Sequence, residues 1–263
     1  MNNFKYITYK MLTNKTDKEK IKGVIAIYTC NKYLSTRLKN LTLKNEYNGW
    51  KVFIIIGNPF LDVEYTKHNN FITIKCEDSY LHLIKKVILG IKIILDEYDI
   101  EEGILRCGDG LIFNEDQLIK FINKYIKNDY MGILCNNYPT YKKCYNNFMV
   151  NYFNKNQDDI KDPLGGIKLT IDEIRKFNEI PDSNCVVGSI MYLSKRCCNI
   201  LVEHMTRMNF NIFYYREDIG YPYVIEDVGI GFILNTCNIY PVSCTLSGSL
   251  RDGGHINDVI GIR

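Results

Sequence analysis

Short apolar runs, rich in β-branched residues and separated by helix-compatible stretches, punctuate the first half of the chain and leave few folds open to it. The first, GVIAIYTC (23–30), is too short for a buried helix and reads as a buried strand. A polar, helix-compatible stretch over 33–45 leads to KVFIIIGNP (51–59), a second strand stopped by Gly-Asn-Pro. FITIKC (71–76) is a third, and it runs into Glu-Asp-Ser, where Asp78 or Ser79 can cap a helix. That helix is predicted over 80–98, because Leu83, Ile84, Val87, Ile88, Ile91 and Leu95 fall at helical spacing. EEGILRCGDGLIFN (101–114) then carries a strand into a Gly-Asp-Gly turn, followed by a helix over 115–127 and a strand over 130–135. Strands alternating with helices predict right-handed crossovers: an α/β fold with a mostly parallel twisted sheet flanked by helices on both faces.

Beyond residue 135 the pattern weakens. Tyrosines and asparagines crowd the segment 136–180, which reads as an irregular excursion over one end of the sheet. Regular signals return with CVVGSIMYLS (185–194), a helix over 195–208, a helical stretch over 225–235 that begins with Glu226-Asp227, and a short strand over 239–242. The predicted organisation is a flexible lead-in (1–20), one domain (21–245) and a Gly- and Asp-rich mobile tail (246–263). No repeat or linker divides the domain.

Composition narrows the class. At 263 residues, 46% hydrophobic and 24% charged, the chain can bury a large core, which excludes collagen-like, mucin-like and wholly disordered readings. Its net charge of +3 is spread over scattered lysines with acids between them, so no nucleic-acid partner is called for. The N-terminus lacks an apolar signal region, and no apolar run approaches the roughly 18 to 20 residues of a membrane span, so a cytoplasmic protein is expected. The ten cysteines include no CxxC pair and several end apolar runs, which fits free, buried thiols in a reducing compartment better than disulfides or zinc. The sequons at Asn14 and Asn40 matter only in a secreted protein.

In an open α/β sheet, ligands bind beyond the carboxyl ends of the strands. That rule selects Thr29–Asn31, Glu77–Tyr80, Gly108–Gly110 and the turns after the later strands. At Gly108-Asp109-Gly110 a carboxylate flanked by residues without side chains lets a bulky anion come close, as in a site for a metal-bound diphosphate. Alone, the tripeptide fits better a tight turn in which Asp109 bonds its own backbone. Glu226-Asp227 alone fits acids favoured by the dipole of a helix's first turn, and His255 alone fits a solvated tail residue.

Taken in order, six blocks resemble the inverting β-1,3-glycosyltransferases of the galactosyltransferase and Fringe type, family 31 in the sequence-based classification. Lys51 to Gly57 is similar to the family's second strand. Asp78-Ser79-Tyr80 with Leu83 and Lys86 resembles its Asp-Ser-Tyr-x-Asn-Leu-Thr-x-Lys block, with His82 for Asn and Ile84 for Thr. RCGDGLIFN (106–114) stands where the family has a basic residue, one more residue, Asp-Asp-Asp and an apolar run. Tyr130-Met131-Gly132 matches its next strand. Gly188 with Tyr192, Leu193 and Ser194 resembles Gly-x-Gly-Tyr-Val-Leu-Ser, with Ile190 for the second Gly, and Glu226-Asp227-Val228 with Gly231 matches Glu-Asp-Val-x-x-Gly.

The resemblance spans about 23–239. It implies a GT-A fold in which 21–135 binds a nucleotide-sugar, in the first instance a UDP-sugar, and 136–245 binds a glycan or glycoconjugate acceptor. It assigns Asp78, Lys86, Arg106, Asp109 and Gly188 to the donor, and Asp109 and His255 to a divalent metal, manganese or magnesium. Asp227 becomes the general base of an inverting transfer, with Glu226 its neighbour to be tested beside it. The family's acidic triplet keeps only Asp109, which puts the metal in doubt and leaves Arg106 or lysines such as Lys86 as other means of neutralising the diphosphate. It also opens the alternative of a catalytically weak or inactive GT-A domain that binds nucleotide-sugars or glycans. A nucleotidyltransferase is disfavoured because TCNKYLSTR (29–37) is not a Gly-rich phosphate loop. A structural α/β protein without a small-molecule site is the remaining reading.

Overall fold

A computed structural model describes residues 18–38, 41–135, 151, 154–155, 183–218, 220–244, 246–248 and 260–262. The strands, in chain order, are β1 (Glu19–Tyr28), β2 (Glu46–Tyr47), β3 (Trp50–Gly57), β4 (Tyr65–His68), β5 (Phe71–Ile74), β6 (Tyr98–Gly108), β7 (Ile112–Phe113), β8 (Tyr130–Leu134), β9 (Val186–Ser194), β10 (Val242–Ser243), β11 (Ser247–Gly248) and β12 (Gly261–Ile262). The α-helices are α1 (Leu83–Glu97), α2 (Glu115–Ile122), α3 (Lys195–Arg207) and α4 (Glu226–Thr236).

Nine strands form one sheet in the order β10-β8-β9-β6-β1-β3-β5-β4, with β2 paired to β3. The α/β class is as predicted, but the sheet is mixed and not mostly parallel. β6, β1, β3 and β5 run parallel. β9 enters antiparallel between β6 and β8, and β4 folds back antiparallel on β5. The cause lies in the connections. Where a helix carries the chain back from the carboxyl ends of the strands to their amino ends, as α1 does between β5 and β6, the next strand is parallel; β4 turns directly into β5 through two residues and must reverse.

Both faces are covered. On one, α1, α3 and α4 bury Ile84, Val87, Ile88, Ile91, Leu201, Val228 and Ile233 against Val24, Ala26, Phe53, Ile55 and Ile104 of the strands. Each such side chain contributes about 1.5–3 kcal/mol when fully buried. The other face packs Ile25, Ile27, Trp50, Val52, Leu105 and Cys107 under Leu118 and Ile122 of α2. Side chains of β1 thus alternate between two cores, which is why GVIAIYTC is apolar without interruption.

Local chemistry fixes the helix starts. Asn114 caps α2 by accepting from Gln117 N–H at 3.2 Å, and Ser194 caps α3 by accepting from Cys197 N–H at 3.2 Å. The His82 side chain, at the N-cap of α1, makes no such bond; of the two predicted capping residues Asp78 is engaged elsewhere, while Ser79 Oγ accepts from His82 N–H at 3.3 Å.

Two further expectations change. The stretch 33–45 forms no α-helix among its described residues; a short 3-10 helix at Asn31–Tyr33 is followed by turns and a further 3-10 residue at Leu38. In the tail, β11 pairs with β12 and β12 with β7, while Leu246 and Ile260 are buried. These described parts of the tail therefore return to the strand that follows the Gly-Asp-Gly turn. Nearly all of the excursion 136–180, and His255, lie outside the described residues. The described cysteines are free, and Cys76, Cys107, Cys185, Cys197 and Cys198 are buried. Among the described residues no helix is long and apolar enough to cross a membrane.

Candidate functional site

The chain leaves β1 toward β3 on one side, whereas β6 joins β1 on the other, so the sheet's topological switch point lies between the carboxyl ends of β1 and β6. A crevice for a ligand is expected there. Tyr28 pairs with Gly108 in the register of the two strands, which puts Thr29 and Asp109 side by side just beyond the sheet.

Asp109 does not bond its own backbone. Its Oδ2 accepts from the Thr29 hydroxyl at 2.8 Å and its Oδ1 from Arg37 Nη1 at 2.8 Å. The Arg37 guanidinium lies over the Tyr33 ring, 3.5 Å from its centroid. Neither flanking glycine is demanded by the turn. Gly108 and Gly110 have no left-handed φ, a Cβ on Gly110 would meet nothing within 4 Å, and one on Gly108 would come no nearer than 3.7 Å to Ser189 O. The bare flanks of Asp109 thus leave open space at the switch point, a property a tight turn does not need.

Asp78 ties this edge together. One oxygen accepts from Asn31 N–H at 2.7 Å, and the other from Gly57 N–H at 3.0 Å and from Lys86 Nζ at 2.9 Å. Lys86 Nζ also donates to Thr29 O at 2.6 Å. The Lys86 side chain is only 3% exposed. Asp78 and Lys86 therefore lash the ends of β1 and β3 to α1, and their charges are spent on each other. Replacing Asp78 with Asn turns one acceptor into a donor that faces donors. It should cost about 1–3 kcal/mol, read as a shift in the urea midpoint at constant m-value.

Glu226 and Asp227 open α4 and are both buried. Arg106, projecting from β6 toward the α1/α3/α4 face, places Nε 3.0 Å from Glu226 Oε1, with side-chain exposures of 4% and 6%. Its guanidinium also lies 5.8 Å from the Tyr28 ring. Burial pushes the Glu226 carboxyl up to about 7; Arg106 opposes the rise and the neighbouring Asp227 charge adds to it. Asp227 Oδ1 accepts from Val228 N–H at 3.1 Å. Its charge also reaches Tyr130 of β8 and Cys185 just before β9, where burial first, and then the Asp227 charge among lesser causes, raise both above their ordinary values.

Gly188 lies in β9, two residues before Ile190, which pairs with Cys107 at the end of β6. Gly231 has a packing role: a Cβ there would fall 2.7 Å from Asn184 O and 2.8 Å from Cys185 Cβ, so α4 meets the start of β9 only over a glycine. His82, which stands where the family resemblance has Asn, shares a hydrogen bond of 2.7 Å with Ser79 Oγ and meets Phe213 edge-on at 5.7 Å.

One edge of the sheet thus gathers Asp78, Lys86, Arg106, Asp109, Gly188, Glu226 and Asp227. Two of the cations expected to be available to a ligand, Lys86 and Arg106, are instead buried in ion pairs. Sequence reasoning missed Arg37, although the strand-end rule had already pointed to Thr29, the residue that opens its loop. Among the described residues no three His, Cys, Asp or Glu side chains come together as a metal site. Both oxygens of Asp109 are engaged, so a manganese or magnesium ion bound there would have to displace Arg37 or share the carboxylate with it. No protein-family model matches this chain, and no curated protein matches it at a significant level.

Proposed function

We propose that the chain is an inverting glycosyltransferase of the GT-A type, moving a sugar from a nucleotide-sugar, a UDP-sugar in the first instance, to a hydroxyl of a glycan or glycoconjugate in a β-1,3-type linkage. One observation supports this reading above the rest. Residues from blocks spread over 78–227, selected for their resemblance to one enzyme family, converge on the carboxyl edge at the switch point, beside an aspartate whose glycine flanks leave room for a ligand. The donor's diphosphate would lie over Thr29 and Asp109, and the acceptor would approach α4.

In the transfer, Asp227 takes the proton of the acceptor hydroxyl while that oxygen forms its bond to the anomeric carbon from the face opposite the nucleotide. The bond from the anomeric carbon to the phosphate oxygen breaks, and the nucleoside diphosphate leaves with the electron pair. Positive charge developing on the sugar is met by the same carboxylate. Glu226, balanced by Arg106, holds α4 in register with β6, so that its neighbour is fixed.

A second reading, an inactive domain that binds nucleotide-sugars or glycans, is favoured by one observation: Asp227 is 2% exposed, which leaves an acceptor little access to it. A thermal-shift panel of UDP, GDP, CMP and TDP with their common sugar conjugates, with and without manganese, tests both readings. A ligand at 100 times its Kd adds about 2.7 kcal/mol of stability, a readily measured shift. A shift with one nucleotide, together with slow hydrolysis of its sugar conjugate when no acceptor is present, supports the transferase. The same shift without hydrolysis supports the binding module. No shift with any of them counts against the transferase and against a nucleotide-sugar-binding module, and a glycan array then tests the glycan-binding form of the second reading.

A further inference from the structure

We infer that Arg37 is the cation that receives the donor's diphosphate, standing where a divalent metal would otherwise act, and that Asp109 is its positioning residue. This rests on the nucleotide-sugar reading of the edge and deepens it.

A diphosphate carries negative charge that grows as it leaves, and some group must meet it. Two of the cations at this edge are committed. Lys86 and Arg106 are 3% and 4% exposed and held in ion pairs with Asp78 and Glu226, so turning either toward a ligand would strand a buried carboxylate. Arg37 differs from both: its side chain is 42% exposed. It is also held in place. The guanidinium carbon lies over the Tyr33 ring, 3.5 Å from its centroid, and Asp109 occupies one of its N–H groups. The planar fork keeps further donors for a phosphate, in the bidentate geometry at which Arg excels.

Access is provided by the turn itself, since the positions beside Asp109 carry no side chains and the space at Cβ is open at Gly110 and only loosely contacted at Gly108. A divalent cation on the same carboxylate would sit against the guanidinium and be repelled by it. Asp109 thus serves to hold a cation supplied by the chain.

The test is calorimetric titration of the full chain with UDP, GDP, CDP and dTDP, and with the matching nucleosides, in EDTA and in manganese. One nucleoside diphosphate is expected to bind in EDTA with the affinity seen in manganese. Arg37→Ala should weaken that diphosphate by about tenfold to a hundredfold while leaving its nucleoside unchanged. Arg37→Lys should recover part of the loss, because it restores charge without the fork, and Asp109→Asn should weaken the diphosphate by loosening Arg37. Arg37 lies at the surface, so its variants should keep the wild-type circular dichroism spectrum and melting temperature. Binding that requires manganese, or that survives Arg37→Ala intact, overturns the assignment of Arg37 and leaves the nucleotide-sugar reading standing. Absence of binding by every diphosphate in both conditions overturns the nucleotide-sugar reading and this inference with it.

Discussion

Asp227→Asn is expected to lower the turnover number by about 10²–10⁴-fold, the contribution of a positioned general base. The substitution preserves shape, and the amide oxygen can still accept the Val228 N–H bond that Asp227 Oδ1 accepts now, so α4 should keep its first turn. What the amide cannot do is take the proton of the acceptor hydroxyl. Turnover should therefore fall while the Kd for the nucleoside diphosphate, measured by calorimetry, stays at the wild-type value. A small exogenous base such as formate should restore part of the lost rate, a rescue that a merely structural role would not show. Glu226→Gln serves as the comparison. If Glu226 were the base, its substitution would give the larger loss of turnover, and the raised value of its carboxyl would make it a competent base near neutral pH. Equal, small effects of both substitutions on a measurable transfer rate would remove this pair from the chemistry.

Much of the first half of the chain was legible because its strands are buried on both faces, so that runs such as GVIAIYTC and KVFIIIG announce themselves without reference to partners. Strand β4 was not. Tyr65-Thr66-Lys67-His68 sits at the sheet edge, largely exposed, and its polar residues carry no apolar period. The direction of β9 was illegible for a different reason: an apolar run reads the same whether parallel or antiparallel, and direction is decided by the connection that precedes it. Asp78, Asp109, Glu226 and Asp227 could be found because strand ends and helix starts are local signals. Their partners could not. The bond from Arg37 to Asp109 joins residues 72 apart in sequence, and that from Thr29 to Asp109 joins residues 80 apart. For the same reason Arg106 looked available to a ligand, since nothing near it in the chain reveals that Glu226 meets it in the core.

That buried pair carries the largest expected effect on stability. Arg106→Met fills much the same volume but leaves the Glu226 carboxylate, 6% exposed, without its counter-charge. Breaking such a pair on one side costs about 3–5 kcal/mol, unless the carboxyl takes up a proton instead. The pH dependence follows. Burial already raises Glu226 above its ordinary value of 4.5, and Arg106 is the influence that opposes the rise. Loss of Arg106 must raise it further. A carboxyl with a higher value folded than unfolded binds its proton more tightly in the native state, so stability falls as pH rises from the unfolded value through the folded one. Urea denaturation of Arg106→Met should accordingly show a modest deficit near about pH 5 and the full deficit near about pH 8, where wild type falls less. In Arg106→Met/Glu226→Gln the charge is gone, so the added pH dependence should vanish and much of the lost stability return. A buried ion pair is seldom the most stabilising filling for its volume, and the double variant could approach wild type in stability. Its value here is positional, fixing the start of α4 to the end of β6, so the double variant should recover its fold while its transfer rate remains low.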